Sequence, residues 1–230
     1  MFKVDLVSAV MRGDLDELES LCQHSPVDIN QQNDDGATPL FIACEKGYAD
    51  IVEFVLNQPG IKPNLPTSKG TTPLLAACMT GHNCIVSMLL ALPDVDVDLA
   101  NKDGMAPLWV AVDSGHLRIA QLILSSGREI DTQPKDYSNP NDSVAEMARR
   151  HGTRNRFKNE GEKDFQRKKR NGLKIADLID EYEEKASKKR EHSDFEDVGE
   201  GTSRLFFSFL FLFLFLFLFL FLFFSSFFAG

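Results

Sequence analysis

The chain has 230 residues, 43% of them hydrophobic, and a formal net charge of −9, enough for one domain with extensions. Residues 1–153 hold 11 Lys+Arg against 21 Asp+Glu, a net of −10, whereas residues 154–190 hold 13 against 8, a net of +5. An acidic body argues against direct DNA or RNA binding, which rests on cationic contacts with phosphate, and four cysteines without a CxxC or Cys/His cluster argue against a disulfide scaffold.

From Met1 to Arg12 no apolar run of signal-peptide length occurs, because Lys3, Asp5 and Arg12 interrupt it. Leu6, Ala9 and Val10 predict a first helix ended by Gly13. Leu15, Leu18, Leu21 and Cys22 predict a second, with Cys22 expected at a core position. Residues 1–30 then read as a terminal unit with the polar outer face that solubility requires.

Three fuller copies of one pattern follow, at about residues 31–64, 65–98 and 99–131. Thr38-Pro39-Leu40, Thr72-Pro73-Leu74 and Ala106-Pro107-Leu108 recur at a fixed spacing. Gly36, Gly70 and Gly104 precede them; Gly47, Gly81 and Gly115 follow. Proline suits the first turn of a helix, and a threonine before it can cap the orphan backbone N–H groups. Ala106 cannot cap, so its helix should start more weakly. The following glycine fits a left-handed helix end. A second helix carries Ile51, Val52, Val55 and Leu56 in one copy and Ile85, Val86, Leu89 and Leu90 in the next, one side of an α-helix. Asp14, Tyr48, His82 and His116 share the column just after the closing glycine, which suggests a structural role at the next helix start. Cys44 and Cys78 occupy a small packing column, and Cys84, aligned with Asp50 and Arg118, is expected at the surface. The last connector, Leu124 to Asp131, is one residue shorter than Leu90 to Asp98.

This pattern resembles the ankyrin repeat over residues 1–152. The resemblance implies an all-α solenoid of about five stacked units, the first and last degenerate. It also implies a concave face, built from turn tips and the solvent side of the first helices, that binds another protein. Carried over by position, the turn tips are Asp34, Asp35, Ala37, Ser68, Lys69, Thr71, Lys102, Asp103 and Met105. The first-helix positions are Glu45, Lys46, Met79, Thr80, Asp113 and Ser114. These residues vary from copy to copy while the framework columns persist. The family commonly has histidine after Thr-Pro-Leu; here that column holds Phe41, Leu75 and Trp109, so inter-repeat ties there should rest on packing. Trp109 reads as a packing residue that becomes a hot spot if partly exposed.

A fifth copy begins near Asp142, with Ser143, Met147, Ala148 and Gly152 in their columns. Its second helix is barely recognisable, and the array is expected to end there. Residues 153–204 read as a charged linker with a short amphipathic helix over 173–189, its apolar side formed by Leu173, Ala176, Ile179 and Tyr182 and either docked on the last repeat or open to a partner. From Leu205 to Phe224 only Leu, Phe and Ser208 occur, a run as long as a bilayer-spanning helix. It reads either as a C-terminal anchor that leaves the repeats in the cytosol or as the translation of a simple nucleotide repeat.

No catalytic, cofactor or metal site is expected. The Asp94, Asp96, Asp98 alternation lacks the glycine and closing glutamate of a calcium loop and reads as a solvated turn. The basic clusters Arg167–Arg170 and Lys188–Arg190 fit nuclear import or an acidic membrane surface. The function expected is a non-catalytic protein-interaction module acting in the cytoplasm. The alternatives are a tail-anchored membrane adaptor and a regulatory subunit of an enzyme.

Overall fold

Threonine before proline sets the first helices. In a computed structural model of the chain, which describes residues 6–24, 27–132, 143–151, 167 and 169–190, Thr38 Oγ1 accepts a hydrogen bond from Phe41 N at 3.1 Å and Thr72 Oγ1 from Leu75 N at 3.2 Å. Ala106 has the same extended backbone (φ −91°, ψ 161°) and offers no side-chain cap. The described residues of the first compact unit, residues 1–180, form helices only. These are α1 (Leu6–Arg12), α2 (Leu15–His24), α3 (Pro39–Lys46), α4 (Ala49–Leu56), α5 (Pro73–Thr80), α6 (Asn83–Leu90), α7 (Pro107–Asp113), α8 (Leu117–Leu124), α9 (Val144–His151) and α10 (169–180). Helices α1, α3, α5, α7 and α9 pack in series, as do α4, α6 and α8. The core is the repeated set Leu40/Leu74/Leu108, Ile51/Ile85/Ile119 and Val55/Leu89/Ile123, all at most 1% exposed. Each such side chain contributes about 1.5–3 kcal/mol by burial. The expected all-helical repeat solenoid is what forms.

The closing glycines join the repeats. Gly47 and Gly81 are left-handed, at φ +84° and +83°, and their N–H groups return to Ala43 O and Ala77 O. A Cβ on Gly47 would lie 2.5 Å from His82 Cε1, one on Gly81 2.8 Å from His116 Cε1, and one on Gly13 3.1 Å from Tyr48 Cζ. The ring of each repeat therefore fills the space left by the missing Cβ of the one before. Tyr48, His82 and His116 stand at the helix starts without capping them.

A second tie runs through the connectors in a column the sequence reading passed over. Asn30 donates from Nδ2 to Gly60 O (2.8 Å) and accepts from Lys62 N (2.8 Å). Asn64 repeats this with Asp94 O (2.6 Å) and Asp96 N (2.9 Å). Asp98, the third member, accepts from Asp131 N at 3.0 Å. Where the last connector is short, the Arg128 guanidinium donates to Leu90, Leu92 and Val95 carbonyls of the preceding repeat. Cys22, expected in the core, is only half-buried; its column mates Leu56, Leu90 and Leu124 lie at the outer edge of the helical face in the same way.

The packed array continues past its expected end at 152. Residues 173–179 match residues 117–123 of α8 position for position, Leu-Lys-Ile-Ala-Asp-Leu-Ile against Leu-Arg-Ile-Ala-Gln-Leu-Ile. The triad Ile175, Ala176 and Ile179 is as buried as Ile119, Ala120 and Ile123. Asn171 donates from Nδ2 to Gly115 O (3.2 Å), and Arg149 of α9 pairs with Asp180 of α10. Leu173, expected on the apolar side, is 44% exposed. It holds the column of Leu117, two residues ahead of the first buried position, Ile175 here and Ile119 there. In the second unit, residues 181–230, residues 181–190 are helical. Lys185–Glu181 and Lys188–Glu184 pairs, both at 2.6 Å, lie along it. The Phe/Leu run 205–224 and residues 152–166 lie outside the described residues. Among the described residues no helix is long and apolar enough to cross a membrane.

Two predictions follow from these contacts. Ala106→Thr supplies the missing cap on an already suitable backbone and should raise stability by about 1 kcal/mol in urea melts; no gain would mean the α7 start is not limited by its cap. Gly47→Ala and Gly60→Ala carry the same left-handed penalty of about 1–2 kcal/mol, but Gly60 (φ +76°) faces open space. Gly47→Ala should cost more, and His82→Ala should recover the excess in a double-mutant cycle. Equal costs at both glycines would disprove the ring contact.

Candidate partner-binding face

The turn tips are built by side chains that fold back on their own backbone. Asn33 Oδ1 accepts from Asp35 N (3.0 Å) and Ala37 N (2.8 Å). Asn101 Oδ1 accepts from Asp103 N and Met105 N, both at 3.0 Å, and Thr67 Oγ1 from Thr71 N at 3.3 Å. Successive tips then bond directly: Ser68 N donates to Asp35 O (2.8 Å) and Lys102 N to Lys69 O (3.1 Å). A Cβ on Gly36 would sit 2.8 Å from Ser68 N, and one on Gly70 2.9 Å from Lys102 N, so the tips meet at the backbone. With the main chains joined, the side chains of Asp34, Asp35, Ser68, Lys69, Lys102 and Asp103 are left exposed. Thr71 and Met105 are half-buried.

Ala37 is a correction. It was expected on the surface and is 5% exposed. Both its N–H, to Asn33 Oδ1, and its carbonyl, from Asn33 N at 3.0 Å, are drawn into the turn, which carries the methyl group inside.

On the first helices Glu45, Lys46, Met79 and Thr80 are exposed, while Asp113 and Ser114 are half-buried. The Thr80 hydroxyl is engaged with Ala76 O at 2.9 Å. Trp109 is half-buried, and its Nε1 is enclosed without a hydrogen bond. Met11 was missed. It lies two residues before Gly13, the offset that places Glu45, Met79 and Asp113, and at 57% exposed it is more open than Met79 at 46%. That offset was available from the sequence; the absent Thr-Pro-Leu motif hid it. One column thus runs Met11, Glu45, Met79, Asp113, apolar and acidic in alternation.

Residues 60–134 match a family model described as ankyrin repeats (3 copies), and residues 21–77 match one described as ankyrin repeats (many copies). No curated protein matches the chain.

Among the described residues no group of three or more His, Cys, Asp or Glu could hold a metal ion. Burial pushes the Cys44 and Cys78 thiols far above the ordinary value of 9.0, with Cys78 adding to the effect on Cys44, and it raises Cys22 less deeply. A thiol held protonated is a poor nucleophile. Native alkylation with iodoacetamide near pH 8 should label exposed Cys84 first and leave Cys44 and Cys78 until the array unfolds. The unfolded chain releases these thiol protons near pH 9 while the folded chain keeps them, so stability should be full below that pH and fall above it. Labelling of all four cysteines at equal rates would contradict the burial.

Proposed function

This chain is an ankyrin-repeat protein, and from that we propose that it is a non-catalytic interaction module which grips another protein between its turn tips and first helices. The observation that carries the reading is the joining of tip to tip through Ser68 N–Asp35 O and Lys102 N–Lys69 O. Those bonds fix the backbone and free the side chains. A rigid frame with side chains already in place loses little entropy on association. The residues offered differ from repeat to repeat: two carboxylates at Asp34 and Asp35, then Lys69, then Lys102 beside Asp103. Such variation on a constant frame supplies specificity, since a wrong partner meets like charge. Ala37 leaves the set of contact residues and Met11 joins it.

The charge-reversed variant Asp35→Lys, Lys69→Glu, Asp103→Lys alters three exposed side chains and no backbone bond, so its melt should match the parent. Capture of a partner by the parent and at least tenfold weaker capture by the variant is expected. Equal capture by both would move the binding surface elsewhere.

A further inference from the structure

The two most exposed large apolar side chains among the described residues are Met11 and Met79. Both stand two residues before a closing glycine, in the column that Glu45 shares. Helices α1, α3 and α5 pack in series, so the column runs Met11, Glu45, Met79 across three neighbours. Glu45 is exposed and, among the described residues, has no ion-pair partner. Asp113, the next member, is half-buried and already engaged, so the usable stretch ends at Met79.

Methionine is flexible, polarizable and apolar, and two of them left in water on one face favour an apolar partner. The carboxylate between them decides which partner. A second copy related by a two-fold axis would set Met11 on Met79 and Glu45 on its own equal, like charge on like. An anionic lipid surface or a nucleic acid would meet residues 31–64, whose binding side presents Asp34, Asp35 and Glu45 against Lys46 alone. A cation flanked by two apolar side chains complements the column.

Spacing narrows the backbone of that partner. Packed helices lie about 8–10 Å apart. A polyproline II segment rises about 3.1 Å per residue with three residues per turn, so every third side chain returns to one face after about 9 Å. A β-strand puts residues three apart on opposite faces. An α-helix returns to one face at about 5 Å and about 10.5 Å, on either side of the range.

Resting on the partner-binding reading, we propose that this column takes a polyproline II segment of the partner protein. The segment carries an arginine or lysine against Glu45, with apolar side chains three residues before and after it on Met11 and Met79. Fluorescence anisotropy with the full chain at low salt tests labelled Leu-Pro-Pro-Arg-Pro-Pro-Leu, its counterpart with glutamate for arginine, and the closer-spaced Leu-Pro-Arg-Pro-Leu. The first should bind about tenfold more tightly than either of the others. Glu45→Gln should weaken it about tenfold, the order expected for a lost charged hydrogen bond. Glu45→Arg should reverse the preference in favour of the glutamate peptide, which an unfolded chain cannot do. Met79→Ser should weaken the arginine peptide while the preference for it persists. Equal binding of the arginine and glutamate peptides, or no reversal by Glu45→Arg, would overturn the proposal. So would a dimer in sedimentation that Met79→Ser separates, since a second copy would then be the occupant. A partner lost by the Asp35→Lys, Lys69→Glu, Asp103→Lys chain but held by Glu45→Gln and Met79→Ser would sink this motif and leave the partner-binding face standing.

Discussion

The first three repeats each close the first helix on a left-handed glycine, and the following repeat sets a ring against the place where a side chain would be. Two requirements meet at that residue. The backbone needs φ near +80°, which L side chains rarely adopt, and the neighbour needs the volume. The 34-residue spacing of the array depends on both being met at Gly13, Gly47 and Gly81. The buried aliphatic columns then add the bulk of the stabilisation, but leucine and isoleucine would pack in several registers. The glycine–ring contact and the tip-to-tip backbone bonds permit one.

How far this was legible depended on whether a feature is written in residue identity or in partnership. Thr38, Pro39 and Gly47 act locally, so sequence sufficed for the cap, the first turn and the helix end. The weak start at Ala106 was legible for the same reason. The rings of Tyr48, His82 and His116 were placed at helix starts correctly, but their target lies in the preceding repeat and no local rule points to it. Ala37 shows the converse: a short side chain in a turn looks exposed until the two bonds to Asn33 are known to turn it inward. On the candidate face the tip residues were found by offset, and Met11 was lost because its repeat lacks the motif from which the offset was counted.

The fifth unit shows where pattern matching by fixed period stops. Residues 173–179 match α8 closely, yet they stand far beyond the place that the period assigns, with residues 152–172 between them and α9. A helix is recognised by its own apolar spacing, whereas a repeat is recognised by distance to the next. Ala176 and Ile179 satisfied the first criterion and failed the second; Ile175 was not singled out by either. Docking restores their role, because burial depends on neighbours in space and not on the count of residues between them.

The asparagine column bears on chemical ageing. Asn30 and Asn64 each use both ends of the amide, donating to a carbonyl and accepting from an N–H in the next connector. Hydrolysis of either amide to a carboxylate would keep the acceptor and remove the donor, setting negative charge against Gly60 O or Asp94 O. Asp98 already stands in that state, and what it retains is the acceptor half, to Asp131 N. At that junction Arg128 adds three carbonyl contacts of its own. The two earlier junctions are therefore the ones whose hold would slacken as the protein ages.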